Sequence, residues 1–291
     1  MPKAKKRPVT KKTDALERAA ASVVRRLRSE GFEAYYAGGC VRDKLLKLPV
    51  KEYDIATAAP PDEVERIFKR TVAVGKAFGV IRVMLGKFVF EVATFREDMA
   101  YHDGRHPEGV TFADARRDAQ RRDFTVNGLF YDPAKKRVLD FVGGRKDLEK
   151  GILRAIGDPA ERFTEDKLRL LRAARFSVRL GFRIEKNTLA ALRRLAPEVT
   201  QVSAERIRDE LVKILLGPRP HAALDMLDET GLLSAVLPEV SAMKGVPQPP
   251  QFHPEGDVFT HTRLALEFYE KSKRFPRDAE RALLAVAVLL H

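Results

Sequence analysis

Two carboxylates, Glu52 and Asp54, flank Tyr53 in a segment, Glu52–Thr57, whose residue types predict a short β-strand. Residues i and i+2 of a strand point to the same face, so both side chains converge. Neighbouring anions repel unless a cation sits between them or one takes a proton. Oxygen ligands suit Mg2+, and two such ions about 3.5–4 Å apart can clamp the attacking and leaving oxygens of a phosphoryl transfer. Two solvated carboxylates on an edge strand would carry the same pattern. Glu91, within Phe90-Glu91-Val92, is a candidate third ligand, and a partly buried structural carboxylate fits it equally.

Upstream lies Gly38-Gly39-Cys40-Val41-Arg42-Asp43, between a predicted strand, Glu33–Ala37, and a predicted short helix, Val41–Lys47. Glycines there let backbone N–H groups approach a phosphate, and a helix start adds a positive dipole end. Arg42 supplies a charge nearby. A simple tight turn is the competing reading.

The elements that must hold these residues can be read from periodicity. Leu16, Ala20, Val23, Val24 and Leu27 recur at helical spacing, with Gly31 as a stop. Pro60-Pro61 opens another helix. Val80–Leu85 and Phe88–Phe95, joined at Gly86-Lys87, read as a β-hairpin, and Leu129–Tyr131 with Val138–Val142 as a further strand pair. Beyond about residue 150 helical patterns take over, at Thr164–Leu180, Lys186–Leu195, Ala204–Leu216, Pro220–Thr230 and His261–Lys273. The predicted class is α+β: a head of mixed β-sheet with helices, then an all-helical remainder. Gly245–Pro254 reads as a linker. The chain stops at His291 inside an apolar helical pattern, which points to a fragment.

Composition narrows the function class. Fifty-four Lys plus Arg stand against 41 Asp plus Glu, a net charge of +13. Such an excess favours a polyanionic partner through counterion release, although many soluble proteins are basic. No apolar run reaches the length of a membrane span, and the basic segment 1–13 lacks the apolar core of a secretory signal. That segment reads as a solvated tail, with auxiliary RNA contact as the alternative. One cysteine, Cys40, excludes an internal disulfide framework and any multi-cysteine metal site, which agrees with a reducing cytoplasm.

Taken in order, these motifs resemble the class II CCA-adding tRNA nucleotidyltransferase and bacterial poly(A) polymerase family. Gly-Gly-x-x-Arg-Asp at 38–43 and the paired carboxylates before Ile55-Ala56-Thr57 are followed by Asp118-Ala-Gln-Arg-Arg-Asp-Phe-Thr-Val-Asn127. Then come Asp140-Phe-Val-Gly-Gly-Arg-Lys-Asp147, Arg154-Ala-Ile-Gly-Asp-Pro159 and Glu165-Asp-Lys-Leu-Arg-Leu-Leu-Arg-Ala-Ala-Arg-Phe176. The similarity spans roughly Tyr35 to Leu216. One departure is Glu52, where the family pattern has Asp; the extra methylene puts metal geometry, and so activity, in question.

The resemblance implies a nucleotidyltransferase head over 14–150, a neck over 151–217 and a helical body over 218–245. It implies CTP and ATP as substrates, a two-metal Mg2+ site on Glu52 and Asp54 with Glu91, and tRNA rather than DNA as partner. Asp166 and Arg169, predicted on one helix starting at Thr164, would template the base. Cytosine and adenine both present an amino donor beside a ring-nitrogen acceptor, which a carboxylate and a guanidinium complement. Guanine and uracil reverse that order. Taken alone, an acid–base pair at i and i+3 is a surface salt bridge. Arg122, Arg172 and Arg175 would hold triphosphate or ribose oxygens, Asn127 would orient the sugar or Arg122, and Asp43 and Asp123 belong to the same nucleotide-binding motifs. The loop Tyr101-His-Asp-Gly-Arg-His-Pro107 sits where relatives switch from CTP to ATP. It favours an enzyme able to add A, and a plain surface loop competes.

Ser203 is expected to cap an amphipathic neck helix, and Arg193, Arg194, Arg206, Arg208 and Lys213 to line a route for acceptor-stem phosphates. Solvated surface cations would look alike. Phe252-His-Pro-Glu-Gly-Asp-Val-Phe-Thr-His261 with Leu289-Leu-His291 resembles the start of an HD-type phosphohydrolase domain over 246–291. That domain needs an Asp directly after its last His, so no competent metal site is expected there. Poly(A), CC-only and A-only addition remain open, as do an RNA-binding protein weakened in catalysis by Glu52 and an HD phosphohydrolase fragment.

Overall fold

The structure, a computed structural model, describes residues 11–98, 110–271 and 278–290. They form two compact units, one up to Lys150 and one from Gly151. The loop at 101–107, segment 1–10 and His291 lie outside the described residues.

The first unit runs α1 (Lys11–Ser29), β1 (Ala34–Ala37), α2 (Gly39–Leu45), β2 (Asp54–Thr57), α3 (Pro61–Ile67), β3 (Thr71–Gly75), β4 (Val80–Leu85) and β5 (Phe88–Thr94). It continues with β6 (Arg96–Asp98), β7 (Val110–Phe112), α4 (Ala115–Gln120), β8 (Leu129–Asp132), β9 (Arg137–Asp140) and α5 (Gly144–Lys150). A seven-stranded sheet is ordered β3-β4-β5-β2-β1-β8-β9 among the described residues. Within this sheet, among the described residues, only β2 and β5 pair in parallel.

Strand alternation sorts side chains between two cores. Tyr36, Tyr53, Ile55, Ile81, Val83 and Val92 join the α1 stripe of Ala20, Val23, Val24 and Leu27 on one face. Each such burial contributes about 1.5–3 kcal/mol for a large aliphatic side chain. Ala37, Ala56, Phe95 and Phe130 pack with Ala115 and Ala119 of α4 on the other. The parity of β2 therefore places Asp54 on the α4 side, beside the small residues Ala37 and Ala56. The expected strand over Glu52–Thr57 is shorter than predicted and begins at Asp54; buried Tyr53, its ring 4.8 Å from that of Tyr36, anchors the lead-in.

The second unit contains β10 (Ile152–Leu153), α6 (Pro159–Glu165), α7 (Leu168–Leu180), β11 (Arg183–Ile184), α8 (Lys186–Leu195), α9 (Ala204–Leu215) and α10 (Pro220–Glu229). It ends with α11 (Leu232–Val236), α12 (Pro238–Ser241), α13 (Val258–Lys271) and α14 (Asp278–Leu289). The remainder is not wholly helical, because β10 and β11 pair in parallel. The single helix expected from Thr164 is two helices. Asp166 adopts an extended backbone, φ −146° and ψ 100°, and ends α6. The Thr164 hydroxyl lies inside α6 and donates to Ala160 O rather than capping. Ser203 occupies the N-cap of α9, yet its hydroxyl makes no cap bond; its carbonyl accepts from Arg206 and Ile207 N.

Candidate active site

In the head, Ile55 pairs with Val92 and Arg82 with Glu91, so Asp54, Glu91 and Arg82 reach the same sheet face from three neighbouring strands. Glu52 and Glu91 are exposed, while Asp54 is half-buried. Burial first, then the charges of Glu52 and Glu91, push the Asp54 carboxyl up to about 6, against a smaller opposing pull from Arg122. Two carboxylates are thus within electrostatic reach of Asp54. An oxygen-only donor set of this charge suits a hard divalent cation, and its mutual repulsion is what such an ion would relieve. Glu91 is not partly buried: it accepts from Arg82 Nε and Nη2 at 3.1 and 2.9 Å.

The Gly38-Gly39 turn follows β1, whose Ala37 pairs with Asp54. Gly38 has φ +70°, a backbone conformation that favours glycine, and a Cβ there would lie 2.9 Å from Arg122 Nη1, so that guanidinium would have to shift. Arg42 reaches the turn, its Nη2 lying 3.5 Å from the position a Cβ would take on Gly39. It is 2% exposed and donates to Asp43 Oδ1 at 2.8 Å and to Asn127 Oδ1 at 2.5 Å. Asn127 Nδ2 in turn donates to Asp123 Oδ1 at 3.0 Å. Arg42, Asp43, Asp123 and Asn127 therefore form one buried network joining α2 to the segment before β8.

Arg122 is the head cation that reaches Asp54 electrostatically. Its Nε and Nη2 donate to Asp118 Oδ2, and its guanidinium lies 5.0 Å from the Phe130 ring centroid. Asp118 also accepts from Arg121 Nε. Burial pushes the Asp118 carboxyl up, but Arg122 and Arg121 outweigh it and hold it below the usual carboxylate range. Asp118 was not among the predicted site residues; its spacing of three and four to two arginines on one helix was the available signal. Burial pushes the Cys40 thiol up to about 12, and its Sγ donates to Ala37 O at 3.2 Å.

In the second unit the predicted base-reading residues have separate partners. Asp166 accepts from Arg206 Nη2 at 3.0 and 3.1 Å, and from Leu168 N at 3.2 Å. Arg169 donates to Glu165 Oε2 at 2.5 Å and to Arg162 O at 2.8 Å. Arg206, predicted as an RNA contact, is thereby engaged by Asp166. Arg175 is paired with Glu210, which is 1% exposed. Its guanidinium stacks 4.2 Å from the Phe176 ring centroid, with Arg172 at 5.3 Å from the same ring. Lys213 reaches Glu210 at 3.4 Å, and exposed Arg208 pairs with Asp209 at 2.8 Å. Arg193 and Arg194 are exposed in the last turn of α8. Glu165 and Glu210 were missed, because each looks like an ordinary helix-surface acid in sequence.

Two families match this chain: the poly(A) polymerase head domain over residues 34–154, and a probable RNA- and SrmB-binding site of polymerase A over 181–244. The CCA-adding enzyme of Enterococcus faecalis is 45% identical over 212 residues, 72% of this chain and 52% of that protein. That of Anoxybacillus flavithermus is 44% identical over 228 residues, 78% of this chain and 57% of the relative. The chain belongs to the class II CCA-adding and bacterial poly(A) polymerase family. It spans about half the length of the curated relatives it matches. Among solved structures, the Bacillus stearothermophilus CCA-adding enzyme in complex with CTP superposes with a TM-score of 0.74 at 33% identity, covering 94% of this chain and 62% of that one. As a family member the chain has the expected architecture, a mixed sheet with helices followed by a largely helical region. No helix of the described residues is long and apolar enough to cross a membrane.

Proposed function

We propose that this chain is a template-independent tRNA nucleotidyltransferase that adds C and A to the tRNA 3′ end from CTP and ATP. The observation that carries the reading is Asp54 sharing a sheet face with Glu91, within reach of the charges of Glu52, Glu91 and Arg122, with Arg122 against the Gly38 turn, in a chain 45% identical over 212 residues to a CCA-adding enzyme.

Transfer joins the RNA 3′ oxygen to the α-phosphorus of the nucleotide and breaks its bond to the β-phosphate oxygen, so pyrophosphate leaves. Glu52 and Asp54, with Glu91, would hold Mg2+. When bound, that ion lowers the pKa of the attacking hydroxyl and neutralises charge developing on the phosphoryl oxygens. Glu52, one methylene longer than Asp, retains the charge and both oxygens. Arg122, fixed by Asp118, would set a guanidinium beside the triphosphate, and glycine at 38 keeps that approach open. Arg42, Asp43, Asp123 and Asn127 would position the turn rather than touch the nucleotide.

Base choice would rest on Asp166 accepting from the exocyclic amino group and Arg169 donating to the ring nitrogen. Guanine or uracil would leave both unpaired, a mismatch that can discriminate by roughly 10⁴–10⁵. Arg206 and Glu165 would act as positioning residues for this pair. Arg172 and Arg175 would contact triphosphate or ribose oxygens, and Arg193, Arg194, Arg208 and Lys213 acceptor-stem phosphates.

Gel-resolved extension of tRNAs ending before CCA, after C and after CC tests the reading. Each should grow to a single product ending in CCA with CTP and ATP present. Long runs of A on all three would overturn tRNA repair in favour of poly(A) synthesis.

A further inference from the structure

A second cluster of ligating side chains lies in the second unit, where α13 begins. His253, Glu255 and His261 each offer a donor atom within 4.8 Å of the others'. Glu255 Oε1 stands 3.3 Å from His253 Nδ1 and 2.5 Å from His261 Nδ1. The two rings are nearly perpendicular, at 89°, with centroids 4.8 Å apart. All three side chains are between one-fifth and one-third exposed, so an ion has access from solvent.

The loop holding two of these residues is tied to the helix that holds the third. Asp257 accepts from Gly245 N at 2.7 Å and from Thr260 N at 2.8 Å. His253 N donates to Pro249 O at 3.0 Å, and His261 N to Asp257 O at 3.0 Å. The segment expected to be a linker is thus folded back on the first turn of α13. The donors are held by backbone bonds that do not depend on metal.

We infer that His253, Glu255 and His261 form a binding site for a borderline divalent transition ion of the zinc class. Bonds of 2.0–2.2 Å in a tetrahedral site put ligand atoms about 3.2–3.6 Å apart. The His253 contact already has that spacing, and the His261 contact must open by under about 1 Å. Two imidazoles and one carboxylate select against Mg2+, which takes oxygen ligands, and for zinc-like ions. Three protein ligands leave a fourth position for water. The absence of metal expected for this segment assumed an HD site that needs an Asp directly after its last His, a residue that the trio His253, Glu255 and His261 does not require. His253 and Glu255 come from the loop before His261.

The test titrates the full chain with Zn2+ by calorimetry, and with Co2+ by visible absorption, in millimolar Mg2+. One equivalent should bind, with Co2+ bands of nitrogen coordination. His253→Ala and Glu255→Gln should each weaken binding at least about tenfold, while Asp54→Asn in the head leaves it unchanged. Unaltered far-ultraviolet circular dichroism separates ligand loss from unfolding. In the unsubstituted chain, Co2+ should broaden the ring protons of both His253 and His261. No bound equivalent, broadening of neither ring, or affinity lost only in His261→Ala and retained in the other two variants, overturns the site.

Discussion

The Asp166 carboxylate is gripped by Arg206, 40 residues along the chain, whereas Arg169, three residues along, meets Asp166 through its backbone N–H on the Asp166 carbonyl. The break between α6 and α7 makes this possible. With Asp166 in an extended conformation its carboxylate leaves the helical ladder, and Arg169 turns instead to Glu165 and Arg162 O. The two proposed base-reading groups are thereby held by different clamps. Arg206→Ala should loosen base choice without loosening the grip on RNA. The ratio of kcat/KM for CTP over UTP should fall about 10- to 100-fold, as for loss of one charge-assisted hydrogen bond of about 1.5–3 kcal/mol. Affinity for tRNA should stay within about threefold. A large loss of tRNA affinity with unchanged selectivity would return Arg206 to the phosphate-binding set.

Glu210 should be the most costly surface-looking acid to remove. It is 1% exposed and holds Arg175, whose own pKa is lowered chiefly by burial despite that partner. Deleting one member of a buried pair costs about 3–5 kcal/mol. Thermal unfolding of Glu210→Ala should show a clear drop in Tm. A Tm within about a degree of the parent would contradict the assignment.

How far these features could be read in advance depended on whether their partners were local. The β4–β5 hairpin is legible because apolar alternation flanks Gly86, whose φ of +60° the turn uses. α8 matches its expected span because a clean apolar stripe runs the length of the helix. β3 was not foreseen, since it is an edge strand with its central residues exposed and shows no buried alternation. The break at Asp166 left no trace, because apolar periodicity continues across it without Gly or Pro. Around the head site, the carboxylates and glycines stood out by type and spacing. The inward turn of Arg42 did not, as it requires Asn127, 85 residues on.

Metal-free stability should depend on pH through Asp54. Its folded pKa of about 6 lies above the unfolded value of about 3.9. Its favourable contribution is therefore complete below pH 3.9 and lost as pH rises through 6. At pH 7.5 without divalent ions, Asp54→Asn should raise stability by up to about 2–3 kcal/mol, a gain that shrinks steadily as pH falls from 6 towards 4. Urea titrations at several pH values measure it. A constant difference across that range would show that burial and the neighbouring charges do not raise the Asp54 carboxyl.

Gly38→Ala should impair nucleotide use more than folding. The added methyl meets Arg122 Nη1 at 2.9 Å and sits on a backbone with φ of +70°. Backbone strain of about 1–3 kcal/mol at φ +70° and ψ −131° would add to the methyl contact, which would displace Arg122 from its station. KM for both CTP and ATP should rise, with the secondary structure intact by circular dichroism. Parent-like kinetics would place the turn away from the nucleotide.

Nucleotide transfer in the proposed reaction requires Glu52 and Asp54 to act together. The decisive measurement is single-nucleotide incorporation into tRNA by Glu52→Ala/Asp54→Ala, alongside its tRNA affinity. Incorporation should fall at least about 100-fold, a loss typical of removing groups that stabilise transition-state charge, while tRNA binding stays within about threefold. Full activity in the double variant would contradict it.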